Sequence, residues 1–173
     1  MSTMTQTATT QVYRVHIRAT PQAVWDAITD PNWTERYGYA SRVDYDLRPG
    51  GAYKAYSNEG MKEAGRQGGF PVPDIAVDGE VIECNPPHKL VQTWRMLLDP
   101  ESASEGFTKV THEIKEISPG VTRLTLVHEL DGAPKLAVLV GGAREEEGAG
   151  GGWAWVLSDL KTVLETGKSL NGR

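Results

Sequence analysis

Two histidines carry the acid–base potential of this chain, and each is followed by a glutamate: His112-Glu113 and His128-Glu129. Both pairs fall in alternating stretches that read as strands, where neighbouring side chains point to opposite faces. Neither pair therefore converges on a metal ion, and neither has the His-x-x-x-His spacing that puts two ligands on one helix face. His128 shares a strand face with Leu124 and Leu126. It reads either as a buried, hydrogen-bonded structural histidine or as a general acid or base facing a pocket, since its reference pKa lies near neutrality. No nucleophile stands out. The Gly-x-Ser-x-Gly elbow is absent, and the lone Cys84 has no basic neighbour in sequence and reads as a small buried thiol. Gly148–Gly152 lacks the Gly-Lys-Ser/Thr ending of a phosphate loop and reads as a hinge. The acidic run Glu145–Glu147 has no His or Asp at ligand spacing and reads as a solvated loop or helix end. No cofactor fingerprint and no metal site follow from these residues.

The elements that position these groups are legible by period. Trp153, Val156, Leu157, Leu160, Val163 and Leu164 form one apolar stripe of a helix running from the glycine hinge to Gly167, with Asp159, Lys161 and Glu165 off it. Trp155 lies on the other side of this helix, exposed, packed on a loop, or at an interface. Ahead of it, strands are expected at 12–18, 43–47, 52–56, 75–84, 89–98, 107–117 and 121–130. Two short helices follow the first strand: Thr20-Pro21 opens one, and Asp30-Pro31 closes it and begins a turn through Trp33 to Tyr37. Residues 57–73, with four glycines and two prolines, read as a long loop, and 99–106 as a polar loop. A short helix is expected around Leu136–Val140. One long antiparallel sheet followed by one long helix has few packing solutions, so the sheet must curl around the helix. The fold class is α+β, with six to seven strands wrapped around the C-terminal helix.

Composition narrows the function classes. The chain has 173 residues and a net charge of −5, which suits one domain and gives no basic stripe for nucleic acid. The expected organisation is a disordered tail over 1–10, one domain over 11–167, and a tail over 168–173. The Thr- and Ser-rich start is no secretory signal, no segment is long and apolar enough to span a membrane, and one cysteine suits a reducing compartment. The expected location is cytoplasmic.

Several segments together resemble a known family. They are Ala19–Ile28, Arg48–Gly51, Asp78–Val81 with Asn85–Pro87, Leu90–Trp94, Val121–Leu126 and Gly152–Glu165. In order and spacing they resemble the START-like superfamily, also called Bet v-like, SRPBCC or polyketide-cyclase-like. Within it they look most like bacterial homologues of the C-terminal domain of the co-chaperone that activates the heat-shock-protein-ninety ATPase. The resemblance implies a helix-grip fold with an internal space between the concave sheet and the last helix. It also links the chain to a superfamily of lipid carriers, receptors and cyclases, and to a stress-response co-chaperone.

Alternation then selects candidates for the cavity wall: Tyr53, Gln92, Trp94, Met96, Leu126 and His128 from strands, with Trp153 and Leu157 from the helix. Each also fits a plain core role. Three functions compete. A hydrophobic or aromatic small-molecule binding protein, gated by 57–73 and 141–152, ranks first. A protein-interaction module that binds a chaperone ranks second. A cyclase-type enzyme using His128, Gln92 or Tyr53 ranks third. Aromatic residues near the last helix also leave room for a homodimer.

Overall fold

The computed structural model describes residues 9–171. Seven antiparallel strands make one curved sheet: β1 (Thr10–Ile17), β2 (Val43–Tyr45), β3 (Ala52–Tyr56), β4 (Ile75–Asn85), β5 (Lys89–Met96), β6 (Thr108–Ser118) and β7 (Val121–Glu129). Their spatial order is β1-β7-β6-β5-β4-β3-β2, so β2 through β7 run as successive hairpins and β1 closes on β7. Register shifts at Ala55/Tyr56, Val81/Glu83 and Glu116/Ser118 mark irregularities in pairing. Such bulges bend a strand and increase its twist, which is how a sheet becomes concave. The final helix, α6 (Gly152–Thr166), packs on β1 with Leu157, Leu160 and Val163 fully inside and Trp153, Val156 and Leu164 at the edges of the same stripe. This is the α+β helix-grip architecture.

The connection from β1 to β2 holds α1 (Pro21–Thr29) and α2 (Pro31–Thr34). Thr20 Oγ1 accepts from Ala23 N at 3.1 Å, and Asp30 Oδ1 accepts from Asn32 N at 2.9 Å. Each side chain satisfies a donor that a helix start leaves without an intrahelical partner. Val24, Trp25, Ala27 and Ile28 bury one face of α1.

Two expected loops are helical. The 57–73 segment contains α3 (Glu59–Gly68), capped by Asn58 Oδ1 on Met61 N and ended by Gly69 in the left-handed region. Its glycines argue against a helix by propensity, at about 1 kcal/mol each. Tertiary packing overrides that cost at Gly65, where any Cβ would strike the Val72 side chain and come within 2.9 Å of the Phe70 carbonyl oxygen. The 99–106 segment likewise contains α4 (Pro100–Ser104), capped by Asp99 Oδ2 on Ser102. The short helix near 136–140 is α5 (Pro134–Val140). Glu145–Glu147 is a single exposed 3-10 turn in which Arg144 pairs with Glu147. Cys84 is half-buried rather than buried. Residues 1–8 of the expected N-terminal tail and 172–173 of the C-terminal one lie outside the described residues, while Thr10 already opens β1.

Asp159 departs most from its sequence pattern. It sits off the apolar stripe of α6, yet it is fully buried. Its Oδ2 accepts from Gly38 N at 2.8 Å and its Oδ1 from Leu170 N at 2.6 Å. A buried carboxylate needs donors, and these two backbone N–H groups tie the α2–β2 connection and the chain after α6 to the helix.

Candidate functional site

A cavity of about 580 Å³ lies between the concave sheet and α6. Its floor comes from inward-facing strand residues: Tyr45 on β2, Tyr53 and Ala55 on β3, Gln92, Trp94 and Met96 on β5, His112 on β6, and Leu124 and Leu126 on β7. Its back wall is Trp153, Val156, Leu157 and Leu160 of α6. The rim holds Met61 and Ala64 of α3, then Phe70 and Val72, then Tyr39–Ser41 and Gly148–Gly150. Tyr39 links two sides of this rim: Asn58 Nδ2 donates to its carbonyl at 2.8 Å, and its hydroxyl accepts from Gly152 N at 3.1 Å. Gly152 must be glycine, since φ is +65° and a Cβ would collide with the Val140 carbonyl. That close approach brings the start of α6 against the end of α5 and fixes where Trp153 enters the wall.

Seven of the eight candidates taken from the sequence line this cavity: Tyr53, Gln92, Trp94, Met96, Leu126, Trp153 and Leu157. His128 sits behind the wall. Its Nδ1 accepts from Trp153 Nε1 at 3.0 Å, which leaves Nε2 to carry the proton and donate to Thr108 Oγ1 at 2.7 Å. Thr108 in turn donates to the Trp94 carbonyl at 2.9 Å. The ring lies edge-on to both Trp94 and Trp153, at 5.3 and 5.9 Å between centroids. Burial, reinforced by the neighbouring His112, pushes its pKa down to about 3. A neutral imidazole with both nitrogens bonded inside the protein holds Trp153 in place and has no free site for a substrate proton.

Asp99 aside, the polar groups that line the cavity are neutral. The Tyr45 hydroxyl donates to Gln92 Oε1 at 2.6 Å, which leaves Gln92 Nε2 buried without a partner. Burial raises the Tyr45 phenol well above its usual range and raises those of Tyr37 and Tyr53 as well. His112 Nδ1 is also buried without a partner, and desolvation pushes its pKa down to about 4. On paired strands, Gln92 faces Val110 and Leu90 faces His112, so Gln92 and His112 are diagonal neighbours on the inner face. In the sequence His112 reads only as half of a pair with Glu113. The alternation Thr108, Val110, His112, Ile114 of β6 carried its inward direction. Tyr45 could have been found in the same way. Met61, Ala64 and Val72 lie in the segment expected to gate the cavity, but nothing in a glycine-rich stretch announces that it is helical or which of its residues turn inward. Among the described residues no group of three or more His, Cys, Asp or Glu side chains is placed to hold a metal ion. No helix there is long and apolar enough to cross a membrane.

The family described as activator of Hsp90 ATPase homolog 1-like protein matches residues 18–165. The chain belongs to this family. The comparison with curated proteins found no match. Solved structures share the fold. An Hsp90 activator from Plasmodium falciparum, PFC0360w, superposes with a TM-score of 0.62 at 19% identity, over 91% of this chain and 96% of that one. The Aha1 dimer from Colwellia psychrerythraea gives 0.61 at 15%, over 92% and 98%. DynU16, a protein of the dynemicin biosynthetic locus, gives 0.64 at 21%, over 94% of this chain and 49% of the other, so this chain spans about half of DynU16. At these identities the likeness establishes architecture alone.

Proposed function

We propose that this protein binds a hydrophobic small molecule in the space between the sheet and α6. The observation that carries this reading is the cavity itself: about 580 Å³, within the range of small-molecule sites, mostly apolar, with a few convergent polar groups. A core built only for stability closes around its polar side chains. Here Gln92 and His112 belong to the cavity wall, and each keeps a buried nitrogen without a hydrogen-bond partner. DynU16, a protein of the dynemicin biosynthetic locus, has the same fold and is consistent with small-molecule handling. The test is native mass spectrometry of the purified protein with extraction of bound material, followed by a thermal-shift screen. A stoichiometric ligand, or a set of apolar compounds that raise Tm in proportion to affinity, supports the reading. No retained ligand together with no stabilising compound overturns it.

A second reading, favoured by the family match, is a chaperone-interaction module that acts through its surface. It predicts that the protein is captured by an Hsp90-type ATPase and stimulates ATP turnover with its cavity blocked. A homodimer, the state named for the Colwellia structure, is checked by sedimentation. The cyclase-type reading finds less support, because His128 has both nitrogens committed.

A further inference from the structure

We infer that the cavity selects uncharged ligands that present a carbonyl-type oxygen to Gln92 Nε2. The inference rests on the small-molecule reading above and adds the chemistry of the molecule.

Among the described residues no lysine or arginine lines the cavity, and its ionisable carboxylate, Asp99, is already engaged in capping α4 through Ser102. His112 is held neutral by burial, and so are the phenols of Tyr37, Tyr45 and Tyr53. A carboxylate or phosphate drawn inside would lose its hydration and meet no cation. An ammonium would lose its hydration and meet no free carboxylate in the cavity. Fatty acids and other amphiphilic anions are therefore poor occupants, although the wall is apolar enough for their tails.

What the wall offers is directional. The Tyr45 hydroxyl fixes the Gln92 amide by taking up its oxygen, so the amide nitrogen is the group left to give a hydrogen bond. Gln92 lies in mid-strand on β5, the central strand of the sheet, and is 1% exposed. His112 stands diagonally beside it, with Nδ1 equally unpartnered. In its neutral form it can donate to the same oxygen or accept from a hydroxyl next to it. A buried donor without an acceptor is destabilising, and a ligand oxygen relieves that cost on entry. A pure hydrocarbon fills the same volume and leaves the cost in place. Trp94 and Trp153, 5.6 Å apart, flank the position with aromatic faces and edges, which suits a flat ring system bearing the oxygen.

Three probes share one skeleton and separate the outcomes: 9-fluorenone, fluorene and fluorene-9-carboxylate, each titrated at pH 7.5 into the full-length protein with tryptophan fluorescence as readout. Fluorenone is expected to bind about tenfold more tightly than fluorene, the worth of one hydrogen bond to a buried donor. The carboxylate is expected to bind more weakly than fluorene. In Gln92→Leu the ketone preference should fall to twofold or less while fluorene binding persists, with far-ultraviolet circular dichroism confirming the fold. Equal binding of fluorenone and fluorene overturns this inference and leaves the small-molecule reading intact. Carboxylate binding as tight as that of the ketone overturns it too. If none of the three binds, this inference falls, while the small-molecule reading is decided separately by the ligand extraction and thermal-shift screen. The wild-type ratio decides the question even where the Gln92 variant does not fold.

Discussion

Two buried histidines should make this protein acid-sensitive well above the pH at which most carboxylates titrate. His128 and His112 have pKa values pushed down to about 3 and about 4, against about 6.5 for an exposed histidine in the unfolded chain. Between those limits the unfolded state binds protons that the folded state refuses, so stability falls as the pH drops through 6.5 and is fully lost only below the folded values. At pH 5 both rings remain neutral in the native protein and are charged in the unfolded one. Integrating over the interval from pH 7 to 5 gives about 3–4 kcal/mol of lost stability for the pair, shared almost equally. Neither ring is solvent-exposed, so screening does not reduce the effect. The assay is urea unfolding followed by tryptophan fluorescence at pH 7, 6 and 5. With a slope of about 2 kcal/mol per molar urea, the midpoint should fall by about 1.5–2 M across the range. His112→Phe separates the two rings, because it removes a titrating group whose Nδ1 has no partner to lose. This variant should stay within about 1 kcal/mol of wild type at pH 7 and show about half the pH dependence. A wild-type midpoint at pH 5 within about 0.3 M of that at pH 7 refutes the reasoning, as does a His112→Phe profile parallel to the wild-type one.

Other perturbations probe the supports of the site. Asp159→Ala strands two backbone donors, that of Gly38 buried and that of Leu170 partly so, and should cost about 3 kcal/mol by chemical denaturation. Asp159→Asn, which keeps one acceptor oxygen, should recover about half of that loss. Gly65→Ala pushes a methyl group into Val72 and should loosen α3 rather than the sheet, read as faster proteolysis within residues 59–73 at unchanged global Tm. Tyr45→Phe frees the Gln92 oxygen to face the cavity and should cost about 1 kcal/mol of stability, seen as a lower Tm.

The sheet and the last helix were legible because their information is periodic. The stripe from Trp153 to Leu164 and the alternation of β5 and β7 repeat over several turns or pairs, so single exceptions do not blur them. Residues 57–73 were expected to gate the cavity and do lie at its rim, but their helical form was not legible. α3 carries glycine at 60, 65 and 68, and its stability comes from the Asn58 cap and the close seat on Val72, neither of which has a period. Asp159 illustrates the same limit. A carboxylate off an apolar stripe normally faces water, and only the approach of Gly38, distant in the chain, and the folding back of Leu170 just after the helix supply the donors that keep it inside. His128 shared its strand face with Leu124 and Leu126, as alternation required, but alternation cannot tell a lining residue from one that another side chain covers.

The sheet order has a consequence for the way the chain comes to its native state. β1 is made first, yet its ladder partner is β7, with Thr10 opposite Glu129 and Ile17 opposite Thr122. During synthesis the β1 strand waits, with both edges unsatisfied, while the hairpins from β2 to β7 take shape in sequence behind it. The stripe of α6 emerges later still and packs on that same β1. Closure of the grip thus joins the first strand and the last helix of the fold over a long stretch of chain, an arrangement that slows folding. Until then the concave wall and its aromatic residues stand open to solvent, which is the interval in which a nascent chain of this topology is most exposed to aggregation.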